Sequence, residues 1–255
     1  MTTSLLEVQG HRLEYARIPG SAPRAPVLVF LHEGLGSVTL WRDFPARLVA
    51  ATGHGALVYS RFGYGQSDPL TEKRRTDFMH EEALRALPEL LDKLGIERPI
   101  LIGHSDGASI ALIHAGGAAR PLTGVVAMAP HVLVEDISIH SIELAKRSYE
   151  TTDLRDRLAR HHADPDSAFR GWNDVWLSPA FRAWNIEEFL PRITVPILAI
   201  QGVDDEYGTM DQLERIARGA PEVEELRLKD CRHSPHKDQP EAVIAAISAL
   251  VMRLH

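Results

Sequence analysis

The feature that most limits what this chain can fold into is a set of short, unbroken apolar runs. Val27-Leu28-Val29-Phe30-Leu31 is one, Ile100-Leu101-Ile102 a second, and Ile197-Leu198-Ala199-Ile200 a third. Each has the length of a strand and follows a proline: Pro26, Pro99 and Pro196. A run without polar alternation suits a strand buried on both faces, as in a parallel sheet covered by helices. Shorter strand patterns fall at 5–8 and 13–18, with Gln9-Gly10 as the turn between them, and at 56–60, 125–129 and 223–228. Helical periodicity fills the intervals at 41–51, 77–94, 108–115, 210–218 and 240–254. Gly53 and Gly95 stand where the first two of these should stop, and Pro88 falls inside the second. Strands alternating with helices over short loops predict an α/β fold with a mostly parallel sheet and helices on both faces.

At 255 residues the chain can form one large α/β domain or two small ones. Its 44% hydrophobic and 25% charged residues are ordinary for a globular protein. A net charge of -7 argues against nucleic acid or an anionic membrane as the main partner. The lone Cys231 excludes an intramolecular disulfide and fits a reducing cytoplasm. The first ten residues lack the basic and apolar regions of a signal peptide. No apolar run nears the roughly 18 residues of a membrane span. A cytoplasmic protein is therefore expected.

One segment breaks the alternation. Residues 130–192 show helical periodicity at 141–149 and 153–161 but no clear strand, and they carry Trp172, Trp176 and Trp184. An all-helical insertion between two strands of a parallel sheet reads as a cap over the carboxyl edge of the sheet, where ligands bind. This divides the chain into a core of residues 1–129 and 193–255 and a cap of 130–192. Each tryptophan is read first as the cap's own core, with the lining of a substrate pocket as the other reading.

Gly103-His104-Ser105-Asp106-Gly107 has the form G-x-S-x-G and lies where a strand run gives way to a helix. A sharp turn there exposes a serine hydroxyl, and the helix start points free N–H groups at a reacting carbonyl. Such a serine needs a histidine as base and a carboxylate to orient it. Loops after parallel strands emerge on one edge, so both partners should follow later strands. Asp204 and Asp205 follow the run at 196–200, and His233 and His236 follow the strand at 223–228. A second oxyanion donor should come from the loop His32-Glu33-Gly34-Leu35-Gly36-Ser37, after the first apolar run.

Taken in order, these motifs resemble those of the α/β-hydrolase superfamily across residues 27–240. Gly103 to Gly107 is similar to its nucleophile elbow, and His32-Glu33-Gly34 to its His-Gly oxyanion loop. Ser60-Arg61-Phe62-Gly63-Tyr64-Gly65-Gln66-Ser67 resembles its Asp-x-Arg-Gly-x-Gly-x-Ser turn. The resemblance implies an eight-stranded sheet. It favours Asp205 over Asp204 as the acid and His233 over His236 as the base. It also implies oxyanion N–H groups from Asp106 and from Gly34 or Leu35. Two positions depart from the pattern. Glu33 stands where the family has glycine, and its side chain is expected to turn away so that only its backbone contributes. Ser60 replaces the usual Asp, at a position the family uses structurally.

His131, after the strand at 125–129, is a candidate substrate contact, with a solvated loop histidine as the favoured reading. Glu33, Trp172, Trp176 and Trp184 share that candidate list. His161 and His162 point about 100° apart on a helix and are a poor metal pair. Cys231 reads as a buried neutral thiol. No metal and no cofactor are expected, because the chain supplies nucleophile, base and oxyanion donors. The implied activity is a serine hydrolase acting on a small-molecule ester or thioester through an acyl-enzyme. The alternatives are a carbon–carbon bond hydrolase or enol-lactonase of aromatic degradation and, further off, a slowly hydrolysing ligand receptor. Substrate identity and oligomeric state are not written in the sequence.

Overall fold

A computed structural model describes residues 2–22 and 24–254. Eight strands form one sheet in the order β1-β2-β4-β3-β5-β6-β7-β8. They are β1 (Ser4–Val8), β2 (His11–Ile18), β3 (Leu28–Leu31), β4 (Ala56–Tyr59), β5 (Ile100–His104), β6 (Gly124–Met128), β7 (Ile197–Gly202) and β8 (Val223–Leu228). Only β2 runs antiparallel to its neighbours β1 and β4, and every other pairing is parallel. Gln9 and Gly10 both take positive φ, 51° and 76°, in the tight β1–β2 turn.

The unbroken apolar runs are explained by the two cores. Val29, Leu31, Leu57, Tyr59 and Leu101 face one layer, while Leu28, Phe30, Val58, Ile100 and Ile102 face the other. Helices α1 (Phe44–Thr52) and α10 (Pro240–Arg253) cover the second face through Leu48, Val49, Val243 and Ile247. The first face takes α2 (Phe78–Glu81), α3 (Leu87–Lys93), α4 (Asp106–Gly117) and α8 (Asp211–Gly219). A fully buried leucine or phenylalanine contributes about 1.5–3 kcal/mol, so neither layer could tolerate a polar residue in these runs.

The helix expected at 77–94 is continuous but not uniform. A π-helical stretch, Glu82–Ala86, joins α2 to α3. Pro88 offers no N–H and its ring crowds the carbonyl four residues back, so widening the preceding turn relieves the clash. The pattern at 41–51 splits into a 3-10 turn, Thr39–Trp41, and α1, with Arg42 at φ 54° between them.

Between β6 and β7 lie α5 (Asp136–Thr151), α6 (Leu154–Leu158), α7 (Pro165–Trp176) and two 3-10 turns. A single antiparallel bridge, Leu133 to Asn185, closes the base of this insertion. Asp166 ties it together, accepting from Tyr149 of α5 at 2.8 Å and from Arg155 of α6 at 2.6 Å. Helix α9 (Pro235–Asp238) is a single turn leading into α10. Among the described residues no helix is long and apolar enough to cross a membrane.

Candidate active site

Strand β5 ends at His104 and α4 begins at Asp106, which leaves one residue for the turn. That residue, Ser105, sits at φ 53°, ψ -119°, a conformation costly for any side chain. The flanking glycines make the turn possible by close approach. A Cβ on Gly107 would drive into the Leu31 carbonyl of β3, and one on Gly103 would meet the backbone of Gly107 and Ala108. The strained serine is thereby held at the carboxyl edge of the sheet.

The loops after β7 and β8 bring two partners to it. His233 Nε2 lies 2.9 Å from Ser105 Oγ. Its Nδ1 lies 2.8 and 3.0 Å from the two carboxylate oxygens of Asp205. A carboxylate accepts, so Nδ1 carries the proton and Nε2 is left to accept from the serine hydroxyl. Burial alone would raise the Asp205 carboxyl. The charge and hydrogen bond of His233 and the Tyr207 N–H, 2.8 Å from Oδ1, hold it below the usual range instead. Asp204, one residue earlier, is exposed, and its N–H is used by the Cys231 carbonyl. His236 is buried against Trp41 and Phe44, away from the serine.

Three supporting residues escaped the sequence reading. Gln201 of β7 donates to Asp205 Oδ2 at 3.2 Å and to the Gly208 carbonyl at 2.8 Å. Glu206 accepts from the His233 backbone N–H at 3.2 Å. His104 donates Nε2–H to the His233 carbonyl at 2.7 Å. A polar residue inside a buried strand, as at Gln201, was the one signal available for the first.

A cavity of about 220 Å³ opens above Ser105. Its walls include Gly34, Leu35, His131, Ile142, Trp172, Trp176 and Tyr207. Trp172 lies so close over Gly34 that any Cβ there would strike its indole ring. Trp184, grouped with the other two tryptophans on sequence, does not line the cavity. It packs behind it, stacked on Phe181 and 6.2 Å from Trp176.

His131 is not a solvated loop histidine. It is 2% exposed, faces the cavity 5.7 Å from the His233 ring, and burial pushes its pKa down to about 3. It is therefore a neutral imidazole, and its Nδ1 has no partner among the described residues. Loop position suggested solvent, but the β6–β7 insertion covers this loop.

Glu33 is among the residues that line the cavity, and its carboxylate is directed to His104 and Lys237, 3.6 Å from His104 Nδ1 and 3.8 Å from Lys237 Nζ. Burial opposes its ionisation, yet Lys237 and His104 hold it well below the usual carboxylate range. The loop after β3 is braced by two neutral histidines. His32 Nδ1 donates to the Glu33 carbonyl at 2.6 Å while its Nε2 accepts the Arg61 N–H at 3.0 Å. His162 reaches from the insertion, donating Nε2–H to the Leu35 carbonyl and accepting the Gly65 N–H, both at 3.0 Å. His161 turns instead to Thr39, at 2.9 Å. Among the described residues no three His, Cys, Asp or Glu side chains converge as a metal site would require.

The carboxylate missing at Ser60 is supplied from β2. Glu14, 2% exposed, accepts from Ser60 Oγ at 2.8 Å and from the Gln66 N–H at 3.0 Å. Cys231 is buried, and burial raises its thiol to about 11.

A serine aligned with an imidazole and a carboxylate, beside the free N–H groups of a helix start, can attack a carbonyl and stabilise the resulting oxyanion. The model of the alpha/beta hydrolase family matches residues 28–246. The 2-hydroxy-6-oxononadienedioate/2-hydroxy-6-oxononatrienedioate hydrolase of Cupriavidus pinatubonensis is 26% identical over an alignment 242 positions long, and the match covers 82% of this chain and 81% of that protein. The proline iminopeptidase of Mycobacterium smegmatis matches in structure with a TM-score of 0.82 at 18% identity, over 99% of this chain and 98% of that one. A thermophilic esterase from Thermogutta terrifontis gives 0.78 at 18% identity over 100% of both chains. The two structural likenesses concern fold. The family match runs from β3 into α10 and takes in the elbow and the loops after β7 and β8, and the chain belongs to the alpha/beta hydrolase family.

Proposed function

We propose that the protein is a serine hydrolase that cleaves a small, uncharged carboxylic ester or thioester. The observation that carries this reading is the Ser105–His233–Asp205 alignment, at 2.9 and 2.8 Å. His233 takes the Ser105 proton as Oγ bonds to the substrate carbonyl carbon. The oxyanion is held by the N–H of Asp106 and an N–H of the Gly34–Leu35 loop. Collapse breaks the bond to the alcohol or thiol, which leaves with the proton from His233. Water then attacks the acyl-enzyme through the same base, and Ser105 is regenerated. Residues 130–192 act as a cap, and Trp172, Trp176 and Ile142 from it bound the acyl pocket.

Cavity size and charge support a small neutral acyl group. About 220 Å³ lies below the usual range for drug-sized ligands. The acidic residues that line it are Glu33, Asp106 and Glu206, and no lysine or arginine is among the lining residues. A second reading is carbon–carbon bond hydrolysis, supported by the relative from Cupriavidus pinatubonensis. That relative is named for a dioate, and a second carboxylate would find no cation in this lining. The ester reading is therefore preferred.

The test is Ser105→Ala with p-nitrophenyl acetate and butyrate. Wild type should turn over both, and the variant should lose at least about 10³-fold in kcat. Unchanged rates in the variant would overturn the mechanism. Rapid bleaching of a ring-fission dienoate by wild type, with no ester turnover, would select the second reading.

A further inference from the structure

Arg61 is a fully buried cation that the mechanism above does not use. It lies in the turn after β4, beneath the oxyanion loop and outside the cavity lining. One guanidinium nitrogen, Nη2, donates to the Glu33 carbonyl at 2.8 Å and to the His32 carbonyl at 3.2 Å. The same nitrogen stands 3.9 Å from Asp106 Oδ2. Asp106 Oδ1 accepts the Trp176 indole N–H at 3.1 Å. Tyr64 covers the guanidinium, its ring centroid 5.0 Å from the central carbon. Burying an arginine is costly unless its environment compensates, and Nε and Nη1 find no partner among the described residues.

The geometry follows from the peptide plane. The Glu33 carbonyl and the Gly34 N–H belong to one trans peptide, so they point in opposite directions. Three donors fix that carbonyl on the core side: Arg61 Nη2, His32 Nδ1 and the Gly36 N–H, the last at 3.1 Å. The Gly34 N–H must then face the other way, towards the cavity that Gly34 lines. The Leu35 carbonyl is separately held by His162.

Building on the serine-hydrolase reading, we propose that Arg61 is a positioning residue that aims the Gly34 N–H, rather than that of Leu35, at the oxyanion. By facing the Asp106 carboxylate as well, it fixes the two halves of the oxyanion hole relative to each other. Its contribution belongs to the transition state, because the ground-state ester does not depend on that alignment.

The experiment uses full-length protein labelled with 15N-glycine and inactivated with a fluorophosphonate, whose adduct on Ser105 carries an oxygen in the oxyanion position. The Gly34 amide proton should move downfield on adduct formation. Arg61→Lys keeps a charge for Asp106 but not the planar two-carbonyl contact. It should lower kcat per phosphonate-titrated site by about 10- to 100-fold with KM within about twofold, and lose the downfield shift. Arg61→Met should do the same where it folds, and the wild-type spectrum decides the matter where it does not. Labelling of Ser105 with an unmoved Gly34 amide overturns this proposal alone. Unchanged kcat per titrated site in Arg61→Lys also overturns it. Failure of the probe to label Ser105 overturns the hydrolase reading and this proposal with it.

Discussion

Single atoms decide most of what this site can do, and Asp205 is the clearest instance. It receives two backbone N–H groups, a glutamine amide and an imidazole N–H, so it stays ionised and fixes one tautomer of His233. Asp205→Asn leaves the shape intact but presents a donor where Nδ1–H needs an acceptor. An expected fall of about 10³- to 10⁴-fold in kcat, with little change in melting temperature, follows and is measurable with chromogenic esters. A drop of less than tenfold would remove Asp205 from its assigned role. Gly107 works through sterics alone. Gly107→Ala pushes a methyl into the Leu31 carbonyl and should cost at least about 2 kcal/mol, read from urea unfolding. The elbow was legible in the sequence because its reason is local, within five residues. Arg61 and Glu14 were not. Glu14 meets its partner 46 residues away and Arg61 meets Glu33 across 28, and no spacing rule connects such pairs.

Elements explain why the rest of the site stays in register. Strands β3, β5, β6 and β7 were readable because burial on both faces leaves a run with no polar alternation. Helix α7 was missed although Asp164-Pro165 marks its start. The Asp164 side chain accepts the Ser167 N–H at 2.9 Å, and Pro165 fills the first helical position. Asp164→Ala should destabilise the protein by about 1 kcal/mol without altering kcat. His162, which leads into α7, is more consequential. It bridges the Gly65 N–H and the Leu35 carbonyl, so one imidazole connects the insertion, the turn after β4 and the loop after β3. His162→Ala leaves both groups unpaired and should cost about 1–3 kcal/mol, together with a fall in kcat. Thermal melts of the two variants beside ester kinetics separate the cases. Equal kinetics in both would mean that the bridge does not reach the site.

Across the whole molecule, buried histidines make stability depend on pH. Burial lowers His131 to about 3 and His162 to about 4, and it lowers His32 and His236 well below the usual value. The unfolded chain takes up these protons near pH 6.5 while the folded chain does not. Stability is therefore fully present above that pH and is lost progressively as pH falls towards about 4. Asp106 and Glu82, raised by burial, act in the opposite direction as the carboxylate range is approached. The melting temperature should be lower at pH about 5.5 than at about 7.5, and His131→Gln should narrow the difference. An identical difference in the variant would show that His131 does not contribute. None of this was visible in the sequence: His131 is covered by Trp176 of the insertion and His236 by Trp41 and Phe44, partners that periodicity could not bring together. That insertion meets the residue after Ser105 through a hydrogen bond from the Trp176 indole to the Asp106 carboxylate. Its consequence is optical: the indole doubles as a built-in fluorophore, so the acyl-enzyme of the proposed mechanism should register, on colourless, unlabelled substrates, as emission changes in stopped flow.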